Sequence, residues 1–160
     1  LKKDDYSLVV ASSNNEIENP LWHGEIHTLK KFYELDKKMR PNEKNCIFLS
    51  SHEPCSLCLS AITFSGFDNF YYLFPYETTS DVFNIPHDLK ILKEVFNITN
   101  GKYIKENLYW KSYAINNLIE ELKTENKKKL KDSLNQIKKA YIDLSNKYQS
   151  SKEKNYIPLK

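Results

Sequence analysis

The sequence of 160 residues lacks any apolar run near 18 residues, the length that a membrane-spanning helix needs. It also lacks a basic, apolar leader of the secretory type, so we expect a cytoplasmic protein without a membrane partner. Hydrophobic residues make up 40% of the chain and charged residues 28%, which is typical of a soluble globular domain with a hydrophobic core.

Cysteine is scarce. The chain has three, an odd number without the dense spacing of a disulfide-stapled domain. Two of them form the motif Cys55-x-x-Cys58, which in a chain without an export signal favours metal or redox chemistry over a disulfide. Cys46 lies in an apolar segment and is predicted to be a small buried hydrophobic residue.

Proline and glycine are both absent from positions 109–149. In this region apolar side chains at 134, 137, 141, 144 and 148 follow heptad spacing, which predicts one long helix or two helices joined near 124–129. The region is also basic: residues 111–160 carry a net charge of +6, whereas residues 1–110 carry −3.

The first half of the chain alternates between two hydrophobic patterns. Short apolar segments at 6–11, 45–50 and 69–74 predict strands. Helical spacing between 23 and 39, and a segment from Pro54 to Gly66, predict two intervening helices. This order predicts an α/β domain with crossover helices. Residues 75–88 are predicted to form a surface loop, and residues 89–96 a further helix.

The segment WHGEIH at 22–27 places His23 and His27 four residues apart, with Glu25 between them. On a helix both histidines would lie on one face. The helical zinc motif H-E-x-x-H has its glutamate directly after the first histidine, so this order fits that motif poorly. A site built on His23 therefore needs ligands from another part of the chain.

Cys55 and Cys58 can supply those ligands. At the start of a helix both sulfurs can converge on one ion, and the helix N-terminus favours their thiolate form. With His23 they make three protein ligands and leave a fourth position for water, the arrangement of a catalytic zinc. Glu25 would remain available to transfer protons.

Together the two motifs, H-x-E at 23–25 and P-C-x-x-C at 54–58, match the zinc deaminase signature. The sequence resembles the cytidine deaminase-like superfamily, in particular the branch of fungal cytosine deaminase, guanine deaminase and the tRNA adenosine deaminases. The segment HGEIHTL at 23–29 is close to the HGEISTL type of fungal cytosine deaminase. The segment EPCSLCLSAI at 53–62 is similar to E-P-C-x-x-C-x-x-A-I. The resemblance covers about residues 6–75.

The resemblance implies a zinc-dependent hydrolase that replaces an exocyclic amino group of a small nucleobase or nucleoside with oxygen and releases ammonia. Cytosine or guanine as a free base ranks first among the expected substrates, because of the residues HGEI at 23–26. Zn²⁺ would be held by His23, Cys55 and Cys58, and Glu25 would be the catalytic proton shuttle. Family members are usually oligomers, so a homodimer is expected. For substrate binding the family implies the backbone N–H of Gly24 and an asparagine, for which Asn14 fits best and Asn15 is the alternative.

The implied fold is a three-layer α-β-α domain with a central mixed sheet, over residues 1–108, followed by a long C-terminal helical tail over 109–160. Relatives carry a helix and a strand before the strand expected at 6–11. Either these lie upstream of this sequence, or the sheet is short by an edge.

Two other functions remain open from the sequence. A tRNA adenosine deaminase could use the basic segment KKKLK at 127–131 to contact RNA, although such a run is more often a solvated helix face. A zinc-stabilised interaction scaffold would need a fourth protein ligand, which His27 could supply. We favour a surface or packing role for His27, a core position for Trp110, and a small-molecule substrate over nucleic acid.

Overall fold

Three parallel strands organise the part of the chain that the computed structural model describes, residues 1–83 and 86–152. They are β1 (Leu49–His52), β2 (Asn69–Phe74) and β3 (Lys111–Ala114), and they lie in the order β1-β2-β3. In the register, Ser50 pairs with Tyr72, and Phe70 pairs with Ser112. Parallel neighbours need crossover connections, which is why helices separate these strands in the sequence.

Within residues 1–83 and 86–152, six helices accompany the sheet. They are α1 (Gly24–Glu34), α2 (Ser56–Phe64), α3 (Tyr76–Phe83), α4 (His87–Phe96), α5 (Ile115–Glu121) and α6 (Asn126–Lys152), with single 3-10 turns at Glu43–Asn45 and Thr99–Gly101. Helices α1 and α2 contact each other, and α5 packs against β2 and β3. Among the described residues, no helix is long and apolar enough to cross a membrane.

The hydrophobic core is built largely from aromatic side chains around β2. The ring of Phe67 contacts those of Phe32 and Phe48, at centroid distances of 5.4 and 5.2 Å. Trp110 is buried against Phe70, as predicted, and its indole N–H donates to Thr63 Oγ1 at 2.8 Å. Such edge-to-face contacts favour one packing arrangement, which fixes the helices that carry the site.

The N-terminal strand predicted at 6–11 is wrong. These residues form no strand, and the backbone of Tyr6 has a φ of 58°. Val9 and Val10 instead pack against the hydrophobic core from an irregular segment, which accounts for the apolar composition of this stretch. The predicted mixed sheet is also wrong for the described strands, which pair only in parallel; antiparallel pairing is limited to isolated bridges such as Lys2 with Cys46.

The other predicted helices and strands agree more closely with the structure, although several of their ends are shifted. The strand predicted at 45–50 runs from Leu49 to His52, and that at 69–74 is confirmed. The loop predicted at 75–88 is wrong, because α3 occupies its first part. Two helices joined near 124–129, rather than one, occupy the C-terminal region. Strand β3, which the sequence did not predict, lies beyond the domain boundary expected at 108.

Candidate metal centre and its pocket

Two helix starts bring the site residues together. His23 is the residue before α1 and Cys55 the residue before α2, while Cys58 lies in the first turn of α2. Because α1 and α2 are in contact, His23 and Cys55 lie side by side although 32 positions separate them in the sequence. Pro54 fits this geometry because it sets an extended backbone just before the helix.

Three ligand atoms converge there. His23 Nδ1 lies 3.4 Å from Cys55 Sγ and 3.8 Å from Cys58 Sγ, and the two sulfurs lie 3.5 Å apart. Both cysteines are buried and unpaired by any disulfide. The three residues therefore form a group that could hold one metal ion.

The two cysteines and the histidine change one another's proton affinity. Hydrogen bonding with Cys58 and with His23 lowers the pKa of Cys55 to about 4, and hydrogen bonding with Cys55 raises the pKa of His23 to about 9. Hydrogen bonding with Cys55 and burial both raise the pKa of the Cys58 thiol. One thiolate beside an imidazolium is thus favoured without metal, and a dication would favour the second thiolate as well.

The carboxylate of Glu25 faces the same group. Its Oε1 accepts a hydrogen bond of 2.5 Å from Ser50 Oγ, and its Oε2 accepts one of 3.3 Å from Cys58 Sγ. Ser50 is buried on β1, so the sheet fixes the direction of this carboxylate. Glu25 is not part of the group that could hold a metal ion, so its carboxylate lies beside the candidate ligands without being one of them.

His27 points elsewhere. Its Nδ1 lies 2.9 Å from Ser12 Oγ and 2.8 Å from Ser13 O, and its ring stacks on Trp22 with centroids 5.7 Å apart. Over the residues that the structure describes, the group of His23, Cys55 and Cys58 has no fourth member. The packing role predicted for His27 agrees with these contacts.

A pocket of about 580 Å³ opens above the group. Its lining includes His23, Gly24, Glu25 and Cys55, and also Asn14. Asn15 is not among the lining residues and donates to Glu18 instead, at 2.6 Å. The structure thus places Asn14 rather than its alternative at the pocket, where its amide donates to Glu16 Oε2 at 2.9 Å.

Helix α6 closes one side of the pocket. Tyr141, Leu144, Ser145 and Tyr148 line it. The Tyr141 ring also packs on Phe74 and His52, the last residues of β2 and β1, with centroids 5.2 and 5.3 Å away. The heptad stripe therefore covers the carboxyl ends of two strands, where ligands bind in open parallel sheets.

Two acidic residues of the pocket were missed by the sequence analysis. Glu16 Oε1 lies 3.7 Å from His23 Nε2, the ring nitrogen that faces away from the sulfurs. Asp88, in the first turn of α4, also lines the pocket, and burial raises its pKa to about 7. Neither residue belongs to a recognisable sequence motif. The fold brings both of them to the pocket, so the sequence alone did not mark them.

A buried polar network supports the cysteine loop. The side chain of Glu53 is 3% exposed and accepts hydrogen bonds from Tyr76 N at 3.0 Å, Tyr103 Oη at 2.8 Å and Lys105 Nζ. Tyr76 Oη donates in turn to Pro54 O at 2.5 Å. Since Glu53 and Pro54 directly precede Cys55, this network fixes the position of the first sulfur.

Comparisons with known proteins give no match for this chain: no family model, no curated protein and no solved structure is similar to it.

Proposed function

We propose that the protein is a zinc-dependent hydrolytic deaminase of a small nucleobase or nucleoside, with the three-layer fold of the cytidine deaminase-like superfamily. The observation that carries the proposal is the position of Glu25. Its carboxylate lies 3.3 Å from Cys58 Sγ and lines the pocket, yet it is not one of the three metal ligands.

Zinc suits the donor set and its spacing. Tetrahedral bonds of about 2.3 Å to sulfur and about 2.0 Å to nitrogen place the two sulfurs about 3.8 Å apart, and each sulfur about 3.5 Å from the nitrogen. The corresponding distances are 3.5, 3.4 and 3.8 Å. Three protein ligands are typical of catalytic zinc, whereas structural zinc usually has four.

Glu25 performs the proton transfers in this proposal. When bound, zinc supplies a water whose pKa is lowered to about 7. Glu25 would accept one proton from that water and deliver it to a ring nitrogen of the substrate, while the water oxygen forms a bond to the carbon that carries the amine. It would then pass the second proton of that oxygen to the amine, so that the C–N bond breaks, ammonia leaves and a carbonyl remains. Ser50 holds the carboxylate in place through Oε1.

Substrate contacts follow from the pocket walls. Gly24 is the first residue of α1, so its N–H has no acceptor within the helix and can donate to the base. The amide of Asn14 lies at the same pocket and can pair with a ring N–H or a carbonyl. A volume of about 580 Å³ lies within the range for small-molecule sites.

We also propose that the protein forms a homodimer, and we do not favour nucleic acid as the substrate. Within the basic segment at 127–131, Lys127 and Lys131 both pair with Glu120, which reduces their availability for RNA phosphate.

An ammonia-release screen tests the function. Purified zinc-loaded protein is incubated with bases, nucleosides and nucleotides, and the same protein stripped of metal is the control. The proposal expects ammonia from at least one base or nucleoside only in the zinc-loaded sample. Zinc-loaded protein that releases ammonia from none of them would contradict it.

A further inference from the structure

We propose that Glu16 and Asp88 make the pocket selective against phosphate, so that the substrate is an unphosphorylated base or nucleoside. This inference rests on the proposed function and deepens it, because it assigns specificity to two residues outside the deaminase motifs.

The pocket wall is acidic. Four carboxylates line it, from Glu16, Glu25, Glu53 and Asp88. No lysine or arginine is among the described residues that line the pocket. Glu53 is paired with Lys105, and Glu25 is engaged by Ser50 and Cys58. Glu16 adds a further negative charge to the region that a substrate would enter, and so does Asp88 at a pH above its pKa of about 7.

A bound metal would not reverse this charge. Two thiolate ligands neutralise a dication, so the group of His23, Cys55 and Cys58 would carry no net charge when loaded. Glu16 stays next to it, 3.7 Å from His23 Nε2 and 3.5 Å from the hydroxyl of Tyr148 on α6. A phosphate in this space would meet uncompensated negative charge.

The helix N-termini that line the pocket are also poor phosphate sites, because α1 carries Glu25 in its first turn and α2 begins beside the metal group at Cys55. Phosphate is bound by lysine, arginine or a helix N-terminus. The N-terminus of α4 already carries Asp88 in its first turn. Helix α6 presents positions 141, 144, 145 and 148 to the pocket, and none of these is basic. Carboxylates instead accept hydrogen bonds from N–H and O–H groups, which a base or a ribose offers.

Binding to a turnover-deficient protein tests the proposal. In a Glu25→Gln background loaded with zinc, calorimetry gives Kd for cytidine and CMP, and for guanosine and GMP. For a pair that binds, we expect the monophosphate to bind at least about 100-fold more weakly than its nucleoside at low salt. Adding Glu16→Gln and Asp88→Asn should reduce that ratio at least about tenfold.

The matched control is Glu94→Gln in the same background. Glu94 lies on α4 like Asp88, but its side chain is 61% exposed and does not line the pocket. It should leave the ratio unchanged, with zinc content equal in all variants. A monophosphate that binds as tightly as its nucleoside would overturn the inference, and so would a Kd ratio that Glu94→Gln shifts as much as the double substitution does. In either case, ammonia release by the wild-type protein would still support the proposed function. No binding of any ligand, together with no ammonia release, would overturn both.

Discussion

The Cys58 thiol donates a hydrogen bond of 3.3 Å to Glu25 Oε2, although 33 positions separate the two residues. The contact places a carboxylate beside a candidate metal ligand without making it a ligand itself. Ser50 holds the other oxygen of Glu25, so the carboxylate has a defined direction. Proton transfer at a metal-activated water needs this combination of proximity and independence from the metal.

Replacing Glu25 with Gln should remove turnover and leave zinc bound. Gln keeps the size of the side chain but cannot accept and pass on a proton, so kcat/KM should fall by about 1000-fold. Ammonia release and zinc content are measured on the same samples. Glu34→Gln is the control, since Glu34 lies on the same helix, pairs with Lys30 at the surface and should have no effect. Retained activity in Glu25→Gln would refute its role.

His52 should make stability pH-dependent. Burial lowers its pKa from 6.5 to about 4. Between these values the unfolded chain binds a proton that the folded chain does not, so the free energy of unfolding decreases as the pH falls from about 6.5 towards 4. In urea unfolding of metal-free protein, the free energy of unfolding should fall over this pH range by on the order of 2 kcal/mol more in wild type than in His52→Gln.

Metal-free protein is needed for this comparison, because protonation of the ligands then contributes equally to both chains. Equal losses in wild type and His52→Gln would show that the folded state accommodates the charged imidazole. The His52 ring lies between Phe74 and Tyr141, which offer it apolar surroundings.

Glu53→Ala should destabilise the protein by about 3 kcal/mol, because it removes the acceptor shared by Tyr103, Lys105 and the Tyr76 backbone. Tyr103→Phe removes a single hydrogen bond and should cost about 1 kcal/mol. Urea unfolding of both variants checks the order. Zinc affinity should weaken in Glu53→Ala as well, because Pro54 and Cys55 lose their anchor. Unchanged stability and affinity would show that the network does not position the cysteine loop.

Gly101→Ala should cost more stability than Gly66→Ala. Both glycines have positive φ, 62° and 80°, so an added side chain is strained at either position. A Cβ at Gly101 would also overlap the ring of Tyr76 and lie 3.2 Å from Leu89 Cδ2, whereas one at Gly66 meets nothing within 4 Å. We expect about 1 kcal/mol at Gly66 and at least about 2 kcal/mol at Gly101 from thermal unfolding. The reverse order would show that the Tyr76 packing is loose.

The residues of the candidate metal group were predictable because each motif is local. His23 and Glu25 are two positions apart and therefore lie in one helical turn. Cys55 and Cys58 are three positions apart at the start of the next predicted helix. Spacing of this kind is visible in sequence, and the structure brings the two turns together.

Features that depend on long-range packing were not predictable. Strand β3 is only four residues long, and it exists because it pairs with β2. The segment at 6–11 has strand composition, yet it packs on the core without forming a strand. Glu16 and Asp88 reach the pocket from a loop and from a helix that no motif marks.

X-ray absorption at the zinc edge shows whether His23, Cys55 and Cys58 hold a metal with one open position. We expect one zinc per chain with two sulfur neighbours at about 2.3 Å and two lighter neighbours at about 2.0 Å. We also expect one sulfur fewer, or loss of zinc, in Cys58→Ser, and no change in Cys46→Ala. Zinc surrounded by four protein ligands, or a Cys58→Ser protein with an unaltered zinc environment, would contradict this expectation.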